Sequence, residues 1–184
     1  MSKRNTFVAV FDKKTNKHFA KIAKRVKAAG IDPCKIILSV APNREYSDKM
    51  FPYHLTLVVW DVWDNEKLDL LKTNIKLPKI KLQFDGLKIS SSKLINAGHT
   101  IYFSAKPNTE LNKLQSQIFN LIPSLEKYDP KNWSPHITFH IDENKEKFQT
   151  IMQEINNSTK PFTMTIKSLV LYEIYPPKEL LQIN

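Results

Sequence analysis

Tyr53-His54-Leu55-Thr56-Leu57-Val58-Val59-Trp60 and Pro135-His136-Ile137-Thr138-Phe139-His140-Ile141 decide the reading of this chain. Both runs are apolar and β-prone. In a strand, side chains alternate between faces. His54 and Thr56 therefore share one face, and Leu55 between them turns toward the core. His136, Ile137 and Thr138 repeat that arrangement. Two such pairs in matching contexts predict two imidazoles and two hydroxyls converging on one site.

The surrounding chain reads as a repeat of the same plan. Thr6-Phe7-Val8-Ala9-Val10-Phe11 is a strand, and a helix follows to about Ala29, with Thr15 as its expected cap and Phe19, Ile22, Ala23 and Val26 at helical spacing. Gly30 ends that helix. Lys35 to Val40 reads as a strand, and Pro42 to Pro52 as a polar loop with Arg44, Tyr46, Lys49 and Phe51. The first His-Thr strand and a helix from about Asn65 to Thr73 come next. Ile80 to Phe84 alternates as a half-buried strand, and Thr100 to Ala105 is another. Thr109 is the expected cap of a helix to Leu121. The second His-Thr strand, a helix over 144–155 and a long, bent or bulged strand from Phe162 to Ile174 complete the order. Pro176-Pro177 is expected to stop it.

Within this order, Thr6-Phe7-Val8-Ala9 matches Thr100-Ile101-Tyr102-Phe103, and Leu87 and Leu169 each lie 33 residues after their His. Each half is strand, helix, strand, helix, strand. The first half carries a longer insertion before its His. A pseudo-twofold would set both His-Thr strands at the centre. A single domain over 1–184 is expected, its lobes two pseudo-repeats rather than independent units.

The chain of 184 residues carries 28 Lys and Arg against 18 Asp and Glu, a net charge of +10. That balance favours a polyanionic partner such as nucleic acid, a nucleotide or an anionic membrane, against the alternative of a Lys-rich solvated surface. Cys34 is the only cysteine, which excludes an internal disulfide and a Cys-based zinc site. The first residues are polar with no apolar core of a signal peptide, and Leu55–Trp60 is too short to span a bilayer. A cytoplasmic monomer with no membrane partner is expected.

Two imidazoles that titrate near neutrality suit paired acid and base catalysis at one phosphate. Two Thr hydroxyls can donate to the non-bridging oxygens. Direct protonation of the leaving oxygen needs no metal, and no cofactor is expected.

Paired His-hydrophobic-Thr motifs about eighty residues apart in a duplicated α+β chain resemble the 2H phosphoesterases, which include the bacterial 2′-5′ RNA ligase-like proteins and cyclic nucleotide phosphodiesterases. The Phe7-Val8-Ala9-Val10 strand, the Trp133-Ser134-Pro135-His136 approach and the closing Leu169-Val170-Leu171-Tyr172 strand extend the resemblance over nearly the whole chain. It implies an α+β, bilobal fold, two pseudo-symmetric lobes with antiparallel sheets flanked by helices around a cleft. It implies His54 and His136 as the catalytic pair and Thr56 and Thr138 as phosphate ligands. The substrate class implied is an RNA end, oligonucleotide or nucleotide, with a 2′,3′-cyclic phosphate or a 2′-5′ linkage, turned over without metal. Reversal would give an ATP-independent ligase. Two other readings stand beside it: a phosphodiesterase degrading a signalling oligonucleotide (2′-5′ oligoadenylate or a cyclic dinucleotide), and a non-catalytic RNA-binding module.

Further candidates follow from position. Trp133 can stack a base or plug the lobe interface. Arg44, Tyr46 and Lys49 enter the first motif and are candidate substrate contacts. Tyr172 and Tyr175 can reach a nucleobase. Tyr53 is expected in the core by parity. His140 shares the parity of His136 and Thr138, but strand positions four apart are too distant for a two-His metal site. His18 and His99 are expected in solvent.

Overall fold

The computed structural model describes residues 4–30, 53–60, 64–91, 99–142, 145–174 and 178–184. The elements are β1 (Arg4–Phe11), α1 (Lys13–Ala28), β2 (His54–Trp60), α2 (Asn65–Asn74), β3 (Lys81–Ser91), β4 (His99–Ala105), α3 (Thr109–Leu121), a 3-10 turn (Glu126–Tyr128), β5 (His136–Asp142), α4 (Lys145–Ser158), β6 (Thr163–Ile174) and β7 (Lys178–Ile183). The strand expected over 35–40 lies outside the described residues. β7 was not expected. The chain resumes pairing after the prolines as an edge strand along β6, from Leu169↔Ile183 to Glu173↔Lys178.

The helix starts also correct the sequence reading. Asp12, not Thr15, caps α1, its carboxylate accepting from Thr15 N at 2.7 Å. Thr15 is buried in the first turn, where its hydroxyl accepts from Thr165 N at 3.0 Å. Asn108, not Thr109, caps α3 and accepts from Leu111 N at 2.9 Å. An Asx oxygen one step outside the helix meets the free N–H groups of the first turn. Gly30 closes α1 with φ +80°, its N–H bonded to Lys27 O.

The strand order is β2-β1-β6-β3-β4-β5, with β7 off this path and paired with residues 169–173 of β6. The order is a palindrome: β2, β1, β6 answer to β5, β4, β3. The two expected antiparallel sheets are present as three-stranded halves, hydrogen-bonded into one path by Lys81↔Thr165, Leu82↔Met164 and Gln83↔Thr163. Met164 lies 82 residues after Leu82, the same offset that separates His136 from His54. The pseudo-twofold therefore passes through a residue paired with its own counterpart. The register repeats as well. Ala9 pairs with Leu55 and Leu169, and its counterpart Phe103 pairs with Ile137 and Leu87.

Irregularities repeat too. In β2, Thr56 pairs with Val8 and Val58 with Phe7, which leaves Leu57 as an extra residue. In β5, Thr138 pairs with Tyr102 and His140 with Ile101, which leaves Phe139 as the extra residue. Each His-x-Thr motif thus ends in a β-bulge, a device that bends a strand and re-aims its side chains. A second matched pair of bulges lies on β6, between Ile166 and Ser168, and on β3, between Phe84 and Leu87.

Cross-strand partners share a face. One face of the path carries Phe7, Ala9, Leu55, Leu82, Leu87, Phe103, Ile137, Met164, Leu169 and Leu171, all buried in a single core with residues from α1, α2, α3 and α4. The halves interlock inside it. Phe19 of α1 meets Phe103 of β4 at 4.5 Å between ring centroids, and meets Tyr53 at 5.3 Å. Tyr53 packs on the core as its parity requires. The opposite face carries the motifs and is called here the motif face.

Candidate functional site

β2 and β5 are the two ends of the hydrogen-bonded path, yet their backbones approach with Cα pairs within 8 Å. His54 and Thr56 lie on the motif face of β2, in register with Val10 and Val8. His136 and Thr138 lie on the motif face of β5, in register with Ser104 and Tyr102. His54 and Thr56 are half-buried, whereas His136 and Thr138 are exposed. The structure therefore brings the two motif strands side by side with both pairs turned away from the shared core.

Side chains from the second half bond to the backbone of β2. The Trp133 indole N–H donates to Thr56 O at 3.1 Å, so the residue three before His136 grips the first motif's own backbone. Trp133 is half-buried and packs on the core. The Gln115 amide donates to Tyr128 O at 2.6 Å and reaches Leu57 O at 3.4 Å. The Ser124 hydroxyl accepts from Val59 N at 3.2 Å and donates to Val59 O at 2.7 Å. These bonds satisfy backbone groups of β2 on the edge away from β1.

His136 is held at one ring nitrogen. Its Nδ1 lies 2.8 Å from Ser134 O. A carbonyl only accepts, so Nδ1 carries the proton and Nε2 is the nitrogen left for proton exchange. The Tyr102 ring meets the imidazole edge-to-face, with centroids 5.5 Å apart and planes at 67°. Such contacts restrict ring orientation.

The remaining expectations divide. Arg44, Tyr46 and Lys49, with Tyr175, lie outside the described residues. Tyr172 is on the motif face but only 8% exposed, packed with Val8, Val170 and Val10 in a small satellite cluster. Burial, with a smaller contribution from the Glu179 carboxylate, pushes its phenol pKa up. His18 is not simply solvated: it is half-buried and stacks on Phe162 at 4.4 Å. The bulge at Phe139 falls between Thr138 and His140.

Sequence reasoning missed Tyr102 and Ser104 on β4 and Lys88 on β3. Lys88 is in register with Tyr102, which is in register with Thr138. The available signal was parity: Phe103 in the core turns Tyr102 and Ser104 to the motif face. What it lacked was knowledge that β4 lies between β3 and β5.

Solved structures superpose on this α+β sheet, with its pseudo-twofold and one His-x-Thr strand from each half. Escherichia coli LigT complexed with 3′-AMP shares 14% identity over 99% of this chain and 97% of its own, with a TM-score of 0.56. Other LigT crystals hold ATP, phosphate or NADP+. TT0787 of Thermus thermophilus gives 12% identity, coverage of 98% and 96%, and a TM-score of 0.56. Kluyveromyces marxianus Usb1 gives 10%, coverage of 97% on each side and a TM-score of 0.52. At these identities the likeness is one of fold. No curated protein matches the chain. The chain belongs to the 2′-5′ RNA ligase superfamily, whose family model matches residues 20–175. Among the described residues, no helix is long and apolar enough to cross a membrane.

Proposed function

We propose that this protein is a metal-independent phosphodiesterase acting on RNA ends or small nucleotides, at a 2′,3′-cyclic phosphate or a 2′-5′ linkage. The observation that carries the proposal is the duplicated motif: two His-x-Thr strands at equivalent register, each ending in a bulge, adjacent and on one face. Membership of the superfamily and the nucleotides held by LigT support the substrate class.

In this reading the phosphate sits between the two pairs. One imidazole takes a proton from the attacking hydroxyl or water while the other protonates the leaving oxygen. Thr56 and Thr138 hydroxyls donate to the non-bridging oxygens, where negative charge grows in the transition state. His136 works through Nε2, because the Ser134 carbonyl holds Nδ1–H. That hydrogen bond persists when the ring is protonated, so His136 is supported as either partner. Trp133 and Gln115 act at a distance, by holding β2 in place.

The test is turnover by purified protein in EDTA against 2′,3′-cyclic nucleotides, 2′-5′ oligomers and cyclic dinucleotides. Cleavage of a cyclic phosphate or 2′-5′ linkage is expected. His54→Ala and His136→Ala should each lower it by at least about 10². Wild-type turnover in either variant, or activity restored only by added metal, would refute the proposal. Binding without turnover of any of these substrates would favour a non-catalytic RNA-binding module.

A further inference from the structure

Thr138, Tyr102 and Lys88 form a strip across β5, β4 and β3, each in register with the next. Cross-strand partners share a face, so all three belong to the motif face. Tyr102 is half-buried, and the Lys88 side chain is 48% exposed. The pseudo-equivalent strip in the other half is Thr56, Val8 and Val170. Val8 is 0% exposed and Val170 is 2% exposed. One side of the motif pair thus continues into an accessible strip with a ring and a cation, and the other into closed apolar packing.

We infer that the Thr138–Tyr102–Lys88 strip seats the nucleotide that adjoins the scissile phosphate, with Lys88 taking the next phosphate along the chain. This rests on the reading that Thr138 holds the scissile phosphate. Two strand spacings separate Thr138 from Lys88, about 10 Å. The Lys ammonium rides on a flexible four-carbon stem that ranges over part of that gap. The Tyr102 ring lies midway, where a sugar or base would pass, and aromatic rings accept bases without sequence preference. The substrate is then an oligonucleotide end lying in one direction, extended over the second half.

Lys88 Nζ is held 2.8 Å from Asp85 Oδ2. Both side chains are exposed, and such a pair holds weakly. A phosphate can take the ammonium from it, with Asp85 as a competitor rather than a ligand. This predicts opposite effects for the two partners of one ion pair, which a merely structural pair would not give.

The experiment is calorimetric titration at low ionic strength with two ligands, adenosine 3′-monophosphate and the dinucleotide ApAp, which adds one phosphate and one nucleoside. The wild type should bind ApAp more tightly. Lys88→Gln should weaken ApAp about 5-fold and leave the mononucleotide unchanged. Asp85→Asn should strengthen ApAp by about 2-fold. Lys113→Gln removes an equal charge from the exposed side of α3, and should change neither. The inference is overturned by an unchanged ApAp affinity in Lys88→Gln, by equal weakening of both ligands, by the same loss in Lys113→Gln, or by a wild type with no preference for ApAp. Failure of the phosphodiesterase proposal would show elsewhere, as retained turnover in the His variants, a readout the titration does not use.

Discussion

The two motif strands occupy the same place in their halves and sit in different surroundings. His54–Thr56 is half-buried, flanked on β1 and β6 by the closed Val8, Val170 and Tyr172 cluster. His136–Thr138 is exposed, flanked on β4 and β3 by Tyr102 and Lys88. Register, bulges and His-to-Thr spacing are duplicated; the neighbours on the same face are not. In the proposed function, the duplicated backbone supplies two copies of one catalytic unit, and the divergence of the side chains beside each copy gives the substrate a direction.

The comparison is broken most sharply at the hydroxyls. Thr56→Val and Thr138→Val each remove one donor at nearly constant volume, and each should lower kcat by about 10². Steady-state kinetics on a substrate the wild type cleaves measures this. A loss confined to one variant would mean that the halves share a backbone but not a role.

The next effect is on stability. The β3 bulge holds Gly86 at φ +94°, where an added Cβ would stand 3.0 Å from Asn156 Oδ1. Asn156 accepts from Leu87 N at 2.8 Å and donates to Leu87 O at 3.0 Å. Gly86→Ser should therefore cost about 1–3 kcal/mol by denaturant unfolding, although the matching bulge on β6 carries Ser168. A neutral result would mean that the two bulges are interchangeable.

Much of this was legible in the sequence, for a physical reason. Parity placed His54, Thr56, His136 and Thr138 on one face because Leu55 and Ile137 between them are core residues. The match of Thr6-Phe7-Val8-Ala9 to Thr100-Ile101-Tyr102-Phe103 agrees with the register. The bulges were not legible, because Leu57 and Phe139 are as apolar as their neighbours and leave no gap in the pattern. The β3–β6 join depends on three residue pairs from distant parts of the chain, and nothing local names a partner. β7 was hidden by reading Pro176-Pro177 as a stop. Its Leu180, Leu181 and Ile183 are only partly buried, a weak signal for a short edge strand. The caps were misplaced by one residue at Asn108 and three at Asp12, because Thr and Asx both cap and only geometry chooses.

Smaller effects sharpen the comparison. Trp133→Phe keeps the ring packing and removes the bond to Thr56 O. A loss of about 1 kcal/mol in unfolding free energy is expected. A lower kcat with unchanged KM should accompany it, if the bond serves to place β2. The smallest effect concerns Tyr172. Burial raises its folded-state pKa above the unfolded value. The stability it carries is whole below the unfolded pKa of about 10, and is lost as pH rises from there through the folded pKa. Unfolding between neutral and strongly alkaline pH should show a flatter alkaline limb in Tyr172→Phe than in the wild type. Parallel limbs would mean that the phenol is as open as the Tyr102 side of the face.

The central claim is that His54 and His136 act as one unit on one phosphate, and the kinetics of His54→Ala, His136→Ala and their double variant in EDTA test it most directly. The double variant should lose little more than either single one, because acid and base serve the same transition state. Losses that multiply across the pair, or wild-type turnover in either single variant, would contradict it.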